Sequence, residues 1–99
     1  MAELVDKGHA CLSLSGRLDS RSVPALEPEG RALLTTADGK YEIDLAEVSY
    51  SSSAGVALML AWLRAARAAG TEVVFKNLPA SMQGLLRVTE LENILPLAE

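Results

Sequence analysis

Ser51-Ser52-Ser53-Ala54-Gly55 stands between two segments of opposite character. Before it, Tyr41-Glu42-Ile43-Asp44-Leu45 alternates apolar and polar residues with the period of a strand. After it, Ala54 to Ala69 has the composition of a helix, rich in Ala, Leu and Arg with no proline, and stops at Gly70. Strand, polar junction and helix in that order begin a β-α-β unit. The three hydroxyls lie where the positive end of a helix dipole meets solvent. No other segment sets so much polar chemistry beside so long an apolar run, so a functional surface is expected to start here.

At about 100° per residue, Arg64 and Arg67 mark the solvent side of this helix. Ser53, Val56, Ala57, Leu60 and Ala61 fall on or beside that side, and Leu58, Met59, Trp62, Ala66 and Ala69 occupy the opposite arc, the expected core face. The first two turns are therefore apolar all round. Such a helix is either buried all round or docked on a partner. With one small sheet to cover, docking is the more economical reading, and the alternative is an idle surface of small residues. The serines divide the same way. One hydroxyl would cap the helix, worth about 1 kcal/mol; three exceed that need, although a serine-rich loop would also hold them.

Outward from the junction, His9 to Ser15 alternates, with Ala10, Leu12 and Leu14 on one face, and Gly16 is expected to end that strand. Leu4-Val5 is a short partner strand across a Lys7-Gly8 turn. Val23 to Thr35 is a helix with Val23, Leu26, Gly30, Leu33 and Leu34 on one face. Pro28 predicts a late start, a kink or two pieces there. A turn over Ala37-Asp38-Gly39-Lys40 leads to the strand Tyr41 to Leu45, closed by Asp44. Thr71 to Phe75 is a further strand, Ala80 to Val88 a helix contributing Leu85, Leu86 and Val88, and Leu91, Ile94, Leu95 and Leu97 an apolar tail packed as a short strand or extended segment. Strands alternating with helices at this spacing predict an α/β fold with a mostly parallel sheet.

The chain has 99 residues, 49% of them hydrophobic, which suits one domain spanning 1–99 with a modest core. Its net charge of −4 argues against general affinity for nucleic acid or anionic lipid. The single cysteine, Cys11, favours a reducing compartment. Met1 to Lys7 lacks the build of a signal peptide, and the uncharged stretch Ser49 to Leu63 is shorter than the ~20 residues that cross a bilayer. A soluble, cytoplasmic protein is expected.

Catalytic chemistry is sparse. His9 is the only histidine, and on a strand it would lie about 7 Å from Cys11, too far for a nucleophile and base to bond. Further zinc ligands, a phosphate-binding glycine loop and a general acid/base pair are not evident. The plain reading is a surface histidine and a half-buried thiol, so no enzyme, cofactor or metal is expected.

Two elements do carry a likeness. Asp44-Leu45-Ala46-Glu47-Val48, a polar triplet and Ala54-Gly55-Val56-Ala57-Leu58 resemble the signature of STAS domains, the fold of bacterial anti-sigma-factor antagonists and of modules of some anion transporters. Leu14-Ser15-Gly16-Arg17-Leu18-Asp19 is similar to that family's early Gly-x-Leu/Ile-Asp element. Length and the Ala-Gly-Val-Ala-Leu-Met-Leu helix start are most similar to the MlaB-like subunit of Mla-type ABC transporters, which move phospholipids to maintain outer-membrane lipid asymmetry. The resemblance implies a small STAS domain that binds the transporter's ATPase, at the inner membrane through its complex, and supports its assembly or activity. It places the family's hydroxyl position at Ser53. Ser52 stands where the family usually has aspartate, which weakens the rival implication, an anti-sigma-factor antagonist phosphorylated on Ser53 by a serine kinase. The expected partner surface is Ser51, Ser52, Ser53, Ala57, Leu60, Ala61 and Arg64.

Overall fold

In the computed structural model, which describes residues 2–36, 39–89 and 94–96, the elements run β1 (Glu3–Asp6), β2 (Cys11–Leu18), α1 (Val23–Thr36), β3 (Lys40–Ser51), α2 (Ser53–Ala68), β4 (Glu72–Lys76) and α3 (Ala80–Val88). The strands lie side by side in the order β1-β2-β3-β4. β1 is antiparallel to β2, while β2, β3 and β4 are mutually parallel. A hairpin suffices for the first pair; the parallel pairs need the crossovers that α1 and α2 supply. Two right-handed crossovers stepping the same way across a sheet leave their helices on the same face.

Register aligns the core. Leu12, Ile43 and Phe75 are neighbours across three strands, and all three are fully buried. The same face carries Leu14, Leu45 and Val73, covered by Leu26 and Leu34 of α1 and by Leu58, Met59, Trp62, Leu63 and Ala66 of α2. The Trp62 indole packs on Gly30 and donates Nε1–H to the Glu27 carbonyl at 3.0 Å, locking α1 to α2. The opposite face is polar in its middle row, Ser13, Asp44 and Lys76, beside an ion pair from Lys76 to Glu42 at 3.9 Å.

Several sequence expectations change here. His9 is not on a strand: His9 and Ala10 have left-handed φ of 52° and 59° in the loop joining β1 to β2. The Lys7 N–H reaches the Cys11 carbonyl (2.9 Å) and the Cys11 N–H reaches that of Gly8 (3.1 Å), so the turn extends past Gly8. Gly16 does not end β2. It takes φ 86° where the β2–β3 register slips, and the bulge lets the strand run on to Leu18. Asp44 does not close β3 either, because the second half of β2 continues to pair with it as far as Ser51.

α1 is one helix from Val23 to Thr36, with Pro28 exposed within it. On α2, Val56 is buried instead of facing solvent, and Ala69, past the last turn, is exposed. In α3 the buried residues are Met82 and Leu86, while Val88 is 84% exposed. Of the apolar tail, Leu95 is buried, Ile94 is exposed, and the Phe75 N–H donates to the Pro96 carbonyl at 2.8 Å; Leu91 and Leu97 lie outside the described residues. No helix among the described residues is long and apolar enough to cross a membrane.

Candidate functional site

β3 outruns β4. Pairing between them stops at Asp44–Lys76, and the chain turns away at Asn77, whose φ is 59°. Asp44 accepts there from Asn77 Nδ2 (3.0 Å) and from the Ala46 N–H (2.9 Å). Burial works against its charge, but these bonds and nearby Lys76 and Lys7 outweigh it and hold the carboxyl below its ordinary range. Past that point the far end of β3 has lost its β4 neighbour. The Ser51 N–H is satisfied instead by Ser81 Oγ of α3 at 3.0 Å.

The three serines have three different places. Ser51 has no exposed surface, and its Oγ–H donates to the Ser52 carbonyl at 3.0 Å. It therefore leaves the expected partner surface, because β3 continues through it and the first turn of α2 covers it. Ser52 is the N-cap, in extended conformation, its Oγ accepting from the Ala54 N–H at 3.2 Å. Ser53, the first helical residue, is exposed. Gly55 is required beneath: a Cβ there would collide with Ser51 Oγ and reach the Leu18 Cβ at 3.1 Å.

On the outer side of α2, Ser53, Ala57 and Arg64 are exposed and Leu60 and Ala61 half-buried. Their spacing of four, three or four, and four or three residues puts them on one stripe. The stripe is mostly small-residue surface around Leu60, with a hydroxyl at one end and a guanidinium at the other.

The structure also joins the two sequence elements that carried the likeness. The Ser52 N–H donates to the Leu18 carbonyl at 2.9 Å, and Leu18 packs against Gly55. Beside Leu18, Arg17 lies over the Tyr50 ring, 4.3 Å from its centroid. Arg17 Nε also donates to Asp19 Oδ2 at 3.1 Å. Asp19 Oδ1 accepts the N–H groups of Arg21 (2.9 Å) and Ser22 (3.1 Å). These backbone bonds, Arg21 first and Ser22 next, with Arg17 adding, hold the Asp19 carboxyl below its ordinary value against a small desolvation cost. Sequence reasoning singled out Arg17 and Asp19 in a motif but did not place them at the junction. The signal available was the parallel pairing itself, which sets Arg17 opposite Tyr50.

His9 is exposed on its loop and Cys11 half-buried at the start of β2, so the two do not share a strand face. Among the described residues no group of three or more His, Cys, Asp or Glu side chains is placed to hold a metal.

Residues 3–97 match the family model described as "Mlab, STAS domain", and the chain belongs to that family. Solved structures share its fold. A chain of the Acinetobacter MlaFEDB complex in an ATP-bound conformation superposes with a TM-score of 0.78 at 22% identity, covering 95% of this chain and 99% of that one. An anti-sigma factor antagonist from Mycobacterium paratuberculosis gives 0.77 at 23% identity, over 98% and 85%. The phosphorylated form of the Bacillus cell-fate determinant SpoIIAA gives 0.69 at 18%, over 100% and 92%.

Proposed function

We propose that this STAS domain is a non-enzymatic subunit that docks on the ATPase of an Mla-type ABC transporter and supports its assembly or activity. The complex would serve phospholipid movement for outer-membrane lipid asymmetry, with this chain in the cytoplasm, held at the inner membrane only through its partner. The observation that carries the reading is the outer stripe of α2. Its opposite arc is committed to the core, yet Ser53, Ala57 and Ala61 present small, uncharged surface toward the helix start, with the half-buried Leu60 as the one large apolar side chain among them. Small residues let another backbone approach closely, and Ser52, Ser53 and Arg64 supply polar contacts around them. The family match and the likeness to a chain of an MlaFEDB complex favour an ABC ATPase as the occupant.

The test is calorimetric titration of the protein against the purified ATPase, with Leu60→Asp as the probe. Leu60 is half-buried and packs in part against the core, so far-ultraviolet circular dichroism is read first and the titration is scored on the folded variant. A charge placed in a desolvated contact should abolish binding. Wild-type affinity in a folded Leu60→Asp protein would remove the stripe from the interface.

A second reading rests on one observation: the Ser53 hydroxyl is exposed at the N-terminus of a 16-residue helix, where a phosphate would be tolerated by the dipole. This would make the chain an anti-sigma-factor antagonist whose partner is a serine kinase. Incubation with such a kinase and ATP decides it, since phosphate on Ser53 supports this reading and an unmodified Ser53 removes it.

A further inference from the structure

The corner formed by the ends of β2 and β3 carries a cation–aromatic pair that the α2 stripe does not include. Tyr50 is 39% exposed, and the side chain of Arg17 stacked on it is 59% exposed. A cation–aromatic pair is by itself ordinary in a chain of this length, but tyrosine and arginine are both enriched at binding hot spots, and here both stay exposed. The pair is also pre-positioned. Asp19 holds Arg17 by its Nε, and Asp19 is itself fixed by two backbone N–H groups, so the guanidinium loses little freedom on binding. With Nε occupied, the fork of Nη donors remains for a second carboxylate.

This corner adjoins the stripe. Tyr50 precedes Ser53 by three residues, about 10 Å of extended chain at most, and Leu18 is bonded to Ser52 and packed on Gly55. Its charge runs against that of the chain. The protein is −4 overall, yet here Arg17 and Arg21 flank the Asp19 carboxylate, while Arg64 stands at the far end of the α2 stripe. Neither Arg21 nor Arg64 has a carboxylate partner among the described residues. Arg21 leaves the Arg17–Asp19 pair with an unmatched positive charge, and a positive corner on an acidic protein attracts an anionic partner while the rest of the surface repels it, which fixes orientation.

We infer that the Arg17–Tyr50 stack, with Arg21 beside it, is the electrostatic half of the docking surface and receives a carboxylate-bearing segment of the partner protein. The inference rests on the docking reading of α2 and adds the chemistry of what docks: an Asp or Glu side chain gripped in two-pronged fashion by Arg17, its flank against the Tyr50 ring.

The experiment is the same titration against the purified ATPase, at low and at high salt. Arg17→Glu, Tyr50→Ala and Arg21→Glu should each weaken binding about tenfold or more. Arg17→Lys should not restore wild-type affinity, because an ammonium lacks the planar fork. High salt should weaken the wild type more than Arg17→Glu. Arg21→Glu covers the possibility that Tyr50→Ala fails to fold, since the Arg21 side chain is exposed. If Leu60→Asp abolishes binding while folded Arg17→Glu and Arg21→Glu bind as the wild type does, the inference falls and the docking reading stands. If the wild type does not bind, or Leu60→Asp binds normally, the docking reading falls and this inference with it.

Discussion

Adding one methyl group at Gly30 should cost this domain more than most surface changes could. Gly30 is buried in α1 with the Trp62 indole directly against its Cα; an alanine Cβ would overlap the ring and sit 2.8 Å from Nε1. Trp62 is itself fully buried and bonded to the Glu27 carbonyl, so the ring cannot swing aside without losing that bond. Overpacking of this kind costs about 1–3 kcal/mol, and the lost hydrogen bond about 1 kcal/mol more. Against this, alanine is a better helix former than glycine by ~1 kcal/mol. The net is a destabilisation of about 2 kcal/mol. In a domain of this size that lowers Tm by roughly 8–16 °C. Trp62 is the only tryptophan, so its fluorescence during urea or thermal unfolding reports the site directly. Helix propensity alone predicts the opposite sign: a Gly30→Ala protein as stable as the wild type, or more so, would refute the packing argument.

The serines should separate by stability. Ser52→Ala removes the α2 cap and should cost about 1 kcal/mol, whereas Ser53→Ala should cost nearly nothing; equal losses in denaturant unfolding would contradict the assignment of Ser52 as cap. Ser53→Glu should leave the domain folded and weaken docking, read by co-purification with the ATPase beside a circular dichroism control. Asp19 sets an acid dependence. Its carboxyl is held below its ordinary value, so the stability it contributes is fully present above the unfolded carboxylate pKa of about 3.9. That contribution drains away as pH falls through the lower folded value. The stability gap between wild type and Asp19→Asn should therefore be constant near neutrality and begin to narrow as pH falls below about 4; a gap that stays constant or widens on acidification through that range would count against it.

Docking by small residues and docking by a pre-positioned arginine make different physical contributions. On the docking reading proposed above, the α2 stripe would offer close approach and loss of apolar surface, which would set how tightly the faces pack. The Arg17 corner would offer direction, because a partner carboxylate would be favoured in one place only. A charge change at the corner should act through salt-dependent affinity, and one in the stripe through near-total loss.

The elements legible in the sequence were those whose signal is local. The apolar period and uninterrupted helix formers from Ala54 to Ala69, with Gly70 behind them, needed no neighbour to be read, and α2 runs from Ser53 to Ala68. The alternation around Ile43 and the β-branched and aromatic run Val73-Val74-Phe75 after Gly70 likewise announced strands, and the parallel arrangement followed from their spacing. What sequence could not decide were matters of pairing across space. A glycine or aspartate ends a strand unless a neighbouring strand continues to bond beyond it, and β2 and β3 do so for each other past Gly16 and Asp44. Three adjacent serines look alike in a chain. Only the cover of Ser51 by the first turn of α2, the extended backbone of Ser52 and the exposure of Ser53 give them separate work. Tyr50 and Arg17, 33 positions apart in the chain, meet because parallel register sets them opposite one another. Local propensity depends on a residue and its near neighbours and can be read from a string. Register and burial depend on which distant segments share a sheet and a core, so tertiary structure alone decided them.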